Sequence, residues 1–396
     1  MKLLAVDDAR ARMLARVTAL RSETVPLGEA IGRVLAEDVL AMRDQPPFAA
    51  SAMDGWAVRA ADAPGDLAII GESAAGQGFS GVVLAGQAVR IFTGAAVPQG
   101  CEAIVIQEDA TRDGERVRVP AVTAGHFVRP QGGDFRAGDV LLAHGVRLDP
   151  WRLALAASAG RDRVQAARRP VVALLSTGEE IVEAPATPGP FQIYDSGGPA
   201  LAALMTGWGA RVIRARPVAD ELDAVIVALR DARCDLVVTL GGASVGDHDL
   251  VRAAGEALEL DLVVASLAMR PGKPTFFGTL GDGRLMLGLP GNPASALVCA
   301  ELFLRPLLNA LQGAEPGPEI RTAQLATDLP ANGPREHWMR ARLSSVEGVC
   351  LASPYGDQDS SLVSVFAGSD ALLRRPAGVP PAAAGDVVEI IPLPRA

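Results

Sequence analysis

Residues 169–313 alternate between apolar runs and amphipathic stretches, and this alternation constrains the fold more than any other feature of the chain. "PVVALLSTG" and "DLVVTL" are continuous runs of strand-forming residues, whereas "GPALAALMTGWGA" and "DELDAVIVALRDA" have helical spacing. Strands that are apolar on both faces are typical of parallel sheets covered by helices on each side. The pattern therefore predicts an α/β domain with a mostly parallel sheet over residues 169–313.

The rest of the chain has different patterns, which predict three further units. Residues 1–43 and 133–168 have helical patterns, including "PLGEAIGRVL" with a proline at its start, whereas residues 44–132 consist of short β-like runs separated by Gly and Pro. We therefore predict an N-terminal helical domain, formed by 1–43 plus 133–168, that an all-β module interrupts. Residues 314–396 open with a linker and continue as short strands, which predicts a small β-barrel or sandwich.

Charge and cysteine usage exclude several classes of protein. The net charge of −9 over 396 residues argues against nucleic acid or an anionic membrane surface as the main partner. The four cysteines form no C-x-x-C motif and no disulfide framework, and Asp7 and Asp8 lie where a signal peptide needs an apolar run. No uninterrupted apolar stretch reaches the length of a membrane span. We expect a cytoplasmic protein.

Three loops that follow predicted strands carry glycines and carboxylates. They are Ser176–Glu180 ("STGEE"), Pro217–Asp220 ("PVAD") and Gly241–Asp249 ("GGASVGDHD"). Ligands bind beyond the carboxyl ends of strands in open parallel sheets, where glycines let backbone N–H groups approach an anion. Carboxylates beside a phosphate imply a bridging divalent cation. The alternative is that the two glycines only turn the chain and that Asp247 and Asp249 cap the next helix.

Two further loops have residue types that suit an oxyanion. In "MRPGKP", Met269–Pro274, two prolines stiffen a loop that presents Arg270 and Lys273, whose cationic heads suit an oxyanion or a phosphate. "GLPGNPASA", Gly288–Ala296, ends a predicted strand and begins a helix with backbone and hydroxyl donors. The alternatives are a proline-rich turn with solvated charges and a simple helix cap.

The motifs "SAMDGWAV", "RIFTGAAVPQGCEAIVIQED", "STGEE", "GGASVGDHD", "MRPGKP" and "GLPGNPASA", in this order, resemble the molybdopterin molybdenumtransferases, the family of the bacterial MoeA proteins and the E domain of gephyrin. The resemblance covers essentially the whole chain. It implies a MoaB/MogA-like α/β domain, the interrupted N-terminal domain and a C-terminal small β-barrel. It also implies an elongated homodimer, with the active cleft between the α/β domain of one subunit and the N-terminal part of the other.

Members of this family insert molybdenum from molybdate into adenylylated molybdopterin, release AMP and require Mg²⁺, and the resemblance implies the same activity here. Together with the strand-end loops, it predicts site residues of three kinds. The predicted catalytic residues are Asp54, Thr93, Asp134, Glu180 and Asp249. The predicted Mg²⁺ ligands are Glu180, Asp220 and Asp249. The predicted cofactor-binding residues are Gly241, Gly242, Ser244, Arg270, Lys273, Pro274, Gly291, Asn292, Ser295, Arg340 and Ser364.

The sequence departs from the family pattern at three places. "DSGGPA", Asp195–Ala200, replaces the usual Asp/Asn-Ser-Asn-Ser, Arg270 replaces a lysine, and Ser266 lies where some relatives have a lysine. These departures leave two alternatives to the molybdenum-inserting enzyme. One is a paralogue that inserts tungsten, and the other is a non-catalytic carrier or scaffold that passes the finished cofactor to an apo-molybdoenzyme. The retained acids favour the enzyme, and other cofactor-biosynthesis proteins are candidate partners.

Overall fold

A computed structural model describes residues 3–215, 217–242 and 250–393. The helices and strands fall into four regions, of which the first is discontinuous in sequence. The first contains α1 (Val6–Leu14), β1 (Ser22–Pro26) and β2 (Val39–Leu40) and, later in the chain, β11 (Val140–Leu142), α2 (Pro150–Ser158) and β12 (Arg163–Ala167). The second contains β3 (Ala50–Ser51), β4 (Gly55–Val58), β5 (Gly65–Ser73), β6 (Gln87–Ile91), β7 (Ala103–Ile106), β8 (Thr111–Asp113), β9 (Arg116–Val119) and β10 (Val128–Arg129).

The α/β region and the C-terminal region contain the remaining elements. The α/β region has β13 (Val171–Ser176), β14 (Ile181–Val182), β15 (Ile193–Tyr194), α3 (Gly197–Gly207), β16 (Arg211–Arg214), α4 (Leu222–Asp231), β17 (Leu236–Leu240), α5 (Leu250–Ala257), β18 (Asp261–Val264), β19 (Met269–Arg270), β20 (Phe276–Thr279), β21 (Leu285–Leu289), α6 (Pro293–Cys299) and α7 (Arg305–Leu311). The C-terminal region has β22 (Arg321–Leu325), β23 (Glu336–Val346), β24 (Val349–Pro354), α8 (Val363–Ala367), β25 (Ala371–Arg375) and β26 (Val387–Pro392).

The α/β region is built on a six-stranded sheet with the order β16-β13-β17-β21-β20-β18. Its first four strands are parallel, and β20 and β18 add an antiparallel edge. The continuous apolar runs of β13, β17 and β21 are buried because helices cover both faces of the sheet, as the sequence predicts. The parallel strands end together at one edge, which brings the predicted strand-end loops close to one another.

The helix that follows β21 is the longest apolar helix among the described residues. It runs from Pro293 to Leu311 as α6, a π-helical turn over Ala300–Leu304, and α7. Its length and composition alone would allow it to cross a membrane, with a mean hydropathy of 1.4, but 83% of its apolar window is buried inside the protein. Burial of this kind is typical of the core helix of a globular domain, and the helix packs in the same core as β13 and β17.

The N-terminal region contains more strand than its helical pattern predicts. The predicted helix in "PLGEAIGRVL" is wrong, since only the short 3-10 turn Leu27–Glu29 forms there. Pairing with distant segments overrides the local pattern, because Val34 and Leu35 form bridges with Arg147 and Ala166. On either side of the predicted helix, β1 pairs with β12 and β2 pairs with β11, both antiparallel. These ladders join the segments that lie on either side of the β module, while α1 packs instead on the core of the α/β region.

The β module and the C-terminal region have the strand-rich architecture that the sequence predicts. In the β module, six strands form a sheet with the order β7-β4-β6-β5-β9-β8. In the C-terminal region, β23, β24, β22, β26 and β25 pair in succession, and a β23–β25 ladder closes them into a five-stranded barrel. The barrel is joined to the α/β region by β19, which pairs with β23. The predicted multidomain architecture of α/β and β regions is confirmed.

Candidate functional site

A cavity of about 700 Å³ lies at the carboxyl ends of β13, β17 and β21, where the C-terminal region approaches the α/β region. All three predicted strand-end loops contribute to its walls, and so does the loop that begins α6. Of the predicted site residues, it is lined by Glu180, Asp220, Gly241, Gly242, Pro274, Gly291 and Asn292. Parts of the chain that are more than a hundred residues apart in sequence therefore meet at this cavity.

Gly241 and Gly242 bring bare backbone to the cavity wall. Both have positive φ angles, +92° and +64°, which L-residues with a Cβ rarely adopt. A Cβ on Gly241 would lie 2.7 Å from the Thr177 carbonyl oxygen, and a Cβ on Gly242 would lie 2.3 Å from a methyl group of Val251. Glycine is therefore required by conformation and by space at both positions. The fold closes the chain tightly here, and no side chain from either residue separates the backbone from the cavity.

Oxygen donors suited to a hard cation line the same cavity. The Thr177 hydroxyl is buried and has no hydrogen-bond partner among the described residues. The carboxylates of Glu180 and Asp220 lie on loops beside it, and the Glu180 carboxylate folds back over Gly178. In the described part of the chain, no three His, Cys, Asp or Glu side chains lie close enough to hold a metal ion by themselves. Mg²⁺ is usually bound by one or two carboxylates together with substrate phosphates, so this donor set fits Mg²⁺.

The C-terminal region closes one side of the cavity through the loop that precedes α8. Ser361 lines the cavity, and the neighbouring Ser360 accepts a 2.8 Å hydrogen bond from the Asn292 side chain at the start of α6. Arg340 supports this loop from β23, because its guanidinium donates to the Asp359 carbonyl and to the Gln358 side chain. Arg340 therefore acts on the cavity wall through the loop, and it is not among the described residues that line the cavity.

Arg340 itself is fully buried, and one nitrogen of its guanidinium, Nη2, lacks a hydrogen-bond partner among the described residues. Burial lowers the pKa of its guanidinium. The neighbouring His337 is also buried, and desolvation together with the charges of Arg270 and Arg340 lowers its pKa to about 4. His337 is therefore neutral at physiological pH, and the positive charge at the junction between β19 and β23 comes from arginine.

The predicted oxyanion loop lies at this junction. Arg270 belongs to β19 and donates to the Asn332 side chain at 3.2 Å. Lys273 is half-buried, and its backbone carbonyl accepts a hydrogen bond from Leu267, while its ammonium group makes no ion pair with any residue that the structure describes. Pro274, the next residue, lines the cavity. The loop therefore leads directly into the cavity wall. Of its two cationic side chains, Arg270 is hydrogen-bonded to Asn332, whereas Lys273 has no ion-pair partner among the described residues.

Two predicted serine positions lie beside the cavity rather than in its wall. Ser295 is buried in the first turn of α6, and Ser364 is exposed on α8, which packs against α6. Neither is among the described residues that line the cavity. Ser244 and Asp249, which were also predicted as site residues, lie outside the described residues.

The remaining predicted catalytic residues belong to the β module and its exit. Asp54 accepts two hydrogen bonds of 2.7 Å from Thr93, one from its backbone N–H and one from its hydroxyl. These bonds lower the pKa of the Asp54 carboxyl, which is therefore ionised and held in one orientation on an exposed surface. Asp134 is exposed. Asp54, Thr93 and Asp134 are all absent from the lining of the cavity in their own chain.

The departure at "DSGGPA" has a physical explanation in the structure. Asp195 is almost fully buried and accepts one hydrogen bond from Gly198 N–H at 2.8 Å and another from Arg214 at 2.8 Å. Arg214 also pairs with Glu183 at 2.6 Å. A Cβ at position 198 would lie 2.4 Å from the Asp195 carboxylate and 3.0 Å from the Arg214 guanidinium. The ion pair between Asp195 and Arg214 therefore fills the space that a side chain at position 198 would need.

Sequence reasoning missed several residues that line the cavity, among them Thr177, Tyr194 and Ser361. Thr177 lies inside the "STGEE" motif, which was identified as a site loop, although only Glu180 was selected from it. Tyr194 precedes the "DSGGPA" segment on β15, and the pairing of β14 with β15 that presents it has no local sequence pattern. Ser361 has no recognisable signal, because its place depends on how the barrel docks.

Comparisons with known proteins agree with this architecture along the whole chain. The MoeA N-terminal region (domain I and II) matches residues 4–160, the probable molybdopterin binding domain matches residues 173–310, and the MoeA C-terminal region (domain IV) matches residues 322–393. These are three successive family models in the order expected for the family. Together they leave only short segments of the chain unmatched.

Whole-length relatives give the same result. A molybdopterin molybdenumtransferase of Staphylococcus epidermidis is 31% identical over 400 residues, covering 98% of this chain and 95% of the relative. One from Staphylococcus aureus is 30% identical, covering 98% and 94%. The crystal structure of a molybdopterin biosynthesis MoeA protein from Pyrococcus horikoshii OT3 superposes with a TM-score of 0.85 at 27% identity, covering 99% of this chain and all of the other. By fold, domain order and full-length similarity, the chain belongs to the molybdopterin molybdenumtransferase family.

Proposed function

We propose that this protein inserts molybdenum from molybdate into adenylylated molybdopterin, with release of AMP, in molybdenum cofactor biosynthesis. The observation that carries the proposal is the cavity at the strand ends. Bare backbone at Gly241–Gly242, two carboxylates and a hydroxyl with no partner among the described residues line one space there. This combination suits a substrate with phosphate groups. Membership of the family supports the same reaction.

Cleavage of a phosphoanhydride depends on positioning and charge neutralisation more than on a strong nucleophile. The backbone N–H groups of Gly242 and of the loop before α6 would bind and orient the phosphates of the substrate, whereas the N–H of Gly241 donates to the Leu289 carbonyl. Glu180, Asp220 and Thr177 are the described residues that would hold Mg²⁺, and Asp249 is predicted from sequence as a further ligand. Bound there, Mg²⁺ would neutralise the charge that develops on the phosphate oxygens during cleavage.

Lys273 is proposed to bind the incoming oxyanion, with Arg270 beside it. The chain contains only two lysines, Lys2 and Lys273, and uses arginine for every other strongly basic side chain. An ammonium group is a compact point charge, whereas guanidinium prefers planar, bidentate partners. A tetrahedral oxyanion held in a small loop therefore suits Lys273. Replacing Lys273 by alanine should cost about 1.5–3 kcal/mol in molybdate binding and leave pterin binding nearly unchanged.

The experiment for Lys273 compares Lys273→Ala with Lys273→Arg in an AMP-release assay at varied molybdate concentration. The alanine variant should need about 10- to 100-fold more molybdate for half-maximal release. The arginine variant, which keeps the charge, should fall between alanine and the wild type. An equal loss of affinity for molybdate and for the pterin substrate would place Lys273 on the substrate phosphate instead.

We also propose that the protein is a cytoplasmic homodimer. The ionised Asp54 carboxylate is held by two hydrogen bonds from Thr93 on an exposed surface, and neither residue lines the cavity of its own chain. A second copy would supply this pair to the cavity if the cleft forms between subunits, as the family resemblance implies. Light scattering should give the mass of a dimer at micromolar concentration. A monomer with full activity would contradict this proposal.

Two alternatives differ from the enzyme in what they release. A non-catalytic carrier would bind the pterin and release no AMP under any metal condition. A tungsten-inserting paralogue, which the change from lysine to Arg270 keeps open, would release AMP faster with tungstate than with molybdate. Incubation of the protein with adenylylated molybdopterin, Mg²⁺ and either oxyanion separates the three cases. We expect AMP release that depends on molybdate, with the metal retained on the pterin.

A further inference from the structure

Tyr194 lies at the cavity with its aromatic ring half-exposed. It is the only aromatic side chain among the described residues that line the cavity. Its exposed fraction is 51%, and its hydroxyl makes no hydrogen bond with the described residues. The only other tyrosine of the chain, Tyr355, is used differently, because its hydroxyl donates to the Gly368 carbonyl and accepts from Arg342. Neither packing nor hydrogen bonding with the described residues accounts for Tyr194.

The backbone that carries Tyr194 is nevertheless fixed on both sides. The residue belongs to β15, which pairs in parallel with β14 and places Tyr194 opposite Val182. The N–H of Ile193 donates to the Glu180 carbonyl at 2.7 Å, and the N–H of Asp195 donates to the Val182 carbonyl at 2.9 Å. Each strand of this ribbon is followed by an acid that Arg214 binds, Glu183 after β14 and Asp195 after β15. The ring is therefore exposed on an ordered ribbon.

Among the described residues, the rest of the cavity wall offers polar groups and aliphatic side chains such as Ile181, Ile193 and Leu240, but no other aromatic face. Carboxylates and backbone groups can bind phosphates and a cation, whereas stacking on an aromatic face contributes about 1–3 kcal/mol to the binding of a nucleobase-like ring. The hydrogen-bonding side chains that are usual at positions 197 and 198 are glycines in this chain, and the space beside them is filled by Leu240, Asp195 and Arg214. Recognition of a ring at this wall must therefore rely on stacking rather than on those side chains.

We propose that Tyr194 is the stacking surface for the fused nitrogen heterocycle of the substrate, and that it contributes to substrate specificity. This inference rests on the proposed function, because it takes the cavity as the substrate site. The substrate of that reaction carries two such rings, a pterin and an adenine, which share the chemistry that an aromatic face recognises. Arg214 acts as a positioning residue, because it binds the acids at the ends of both ribbon strands.

The test compares Tyr194→Leu and Tyr194→Phe with the wild type in calorimetric titrations with AMP and, separately, with metal-free molybdopterin. Phe191→Leu is the matched control, because Phe191 is 93% exposed, lies three residues away on the same segment and is not among the described residues that line the cavity. Loss of the ring should raise the Kd of the stacked ligand by about 5- to 100-fold. Tyr194→Phe and Phe191→Leu should bind both ligands within about twofold of the wild type. The ligand that Tyr194→Leu weakens identifies the ring that stacks.

In turnover, Tyr194→Leu should raise KM for adenylylated molybdopterin and leave kcat nearly unchanged, because the ring binds substrate and transition state equally. Three results would overturn the inference: wild-type affinity of Tyr194→Leu for both ligands, a loss in Tyr194→Phe as large as in Tyr194→Leu, or an equal loss in Phe191→Leu. Wild-type protein that binds the ring through Tyr194 but releases no AMP would contradict the proposed function alone. Normal AMP release with an unaffected Tyr194→Leu would contradict the inference alone.

Discussion

Gly241–Gly242 and Gly197–Gly198 are two pairs of consecutive glycines beside the same cavity, and they leave out side chains for different reasons. Gly241 and Gly242 have positive φ angles, and a Cβ on Gly241 would meet the backbone of Thr177. Gly197 and Gly198 have ordinary helical geometry at the start of α3. There a Cβ would meet side chains of the protein, those of Leu240 and Asp195.

At Gly241–Gly242 glycine is required by backbone conformation as well as by space, whereas at Gly197–Gly198 it is required by space alone. At Gly241–Gly242 the missing side chains leave bare backbone on the cavity wall, which suits close approach to a phosphate. At Gly198 the missing side chain makes room for the ion pair between Asp195 and Arg214. The first pair belongs to the proposed binding surface, and the second supports the ribbon that carries Tyr194. A glycine-rich motif beside a site therefore has to be interpreted from the atoms that fill the vacated space.

The largest effect is expected for Gly241→Ala. The φ of +92° disfavours alanine, and the added Cβ would lie 2.7 Å from a backbone oxygen that cannot rotate away. We expect the free energy of unfolding to fall by about 2–4 kcal/mol. AMP release should fall by more than about 100-fold in protein that remains folded, because the backbone donors move with the loop. Urea unfolding and AMP-release assays measure the two effects, and unchanged values in both would mean that the loop tolerates a side chain.

Gly198→Ser, which restores the residue type that the family's usual Asp/Asn-Ser-Asn-Ser pattern has at this position, should have the next largest effect. The added side chain would collide with the Asp195 carboxylate and with Arg214. We expect a loss of about 1–3 kcal/mol in the free energy of unfolding. The affinity for the pterin substrate should not improve, because the position is filled by the protein's own ion pair. Tighter substrate binding with unchanged stability would show instead that the glycine is simply a missing ligand group.

Arg214→Gln should have a smaller effect that depends on the same contacts. It removes the charge that faces Glu183 and the buried Asp195, although Asp195 keeps its hydrogen bond from Gly198 N–H. We expect a loss of about 1–2 kcal/mol, since the guanidinium is partly exposed and screened by solvent. In the double variant Gly198→Ser/Arg214→Gln, the total loss of stability should be smaller than the sum of the two single losses, because both changes disrupt one ion pair. Strict additivity in a double-mutant cycle would contradict this link.

Gly207→Ala is the matched control, with the smallest expected effect. Gly207 is the last residue of α3, has no positive φ, and a Cβ there would meet nothing within 4 Å. Alanine is the better helix former, so we expect unchanged stability or a gain of about 0.5 kcal/mol. Thermal unfolding measures it. A clear loss of stability would show that α3 does not tolerate side chains in general, and the argument for Gly198 would lose its specificity.

The sequence predicts the parts of this structure that depend on local pattern. Continuous apolar strands and the loops that end them place Glu180, Asp220 and the glycine pair Gly241–Gly242 at one edge of the sheet, and the structure brings these residues to one cavity. The predicted helix after Pro26 fails because its residues bond to a distant segment instead: the N–H of Gly32 donates to the Leu148 carbonyl, and the N–H of Leu35 donates to the Val146 carbonyl. Distant pairing has no local signature, because neither partner alone determines it.

The same reason explains which site residues were missed. Tyr194 is presented by a ribbon of two short strands, and Ser361 reaches the cavity only because the barrel docks against α6. Arg340 could be selected only from its resemblance to the family, since its contacts with Gln358 and Asp359 depend on the fold of the loop before α8. Residues that act through docking or through another loop are therefore the ones that local sequence patterns do not identify.

The central claim is that the cavity at the strand ends is a Mg²⁺-dependent site of AMP release, and Asp220→Asn tests it most directly. Asparagine keeps the shape but removes the charge that Mg²⁺ prefers. Asp223→Asn is the matched control, because Asp223 is an exposed acid three residues away, in the first turn of α4, and is not among the described residues that line the cavity. At limiting Mg²⁺, AMP release by Asp220→Asn should fall at least about tenfold and recover partly at high Mg²⁺, while Asp223→Asn matches the wild type. Release by Asp220→Asn at the wild-type rate in limiting Mg²⁺ would contradict the account.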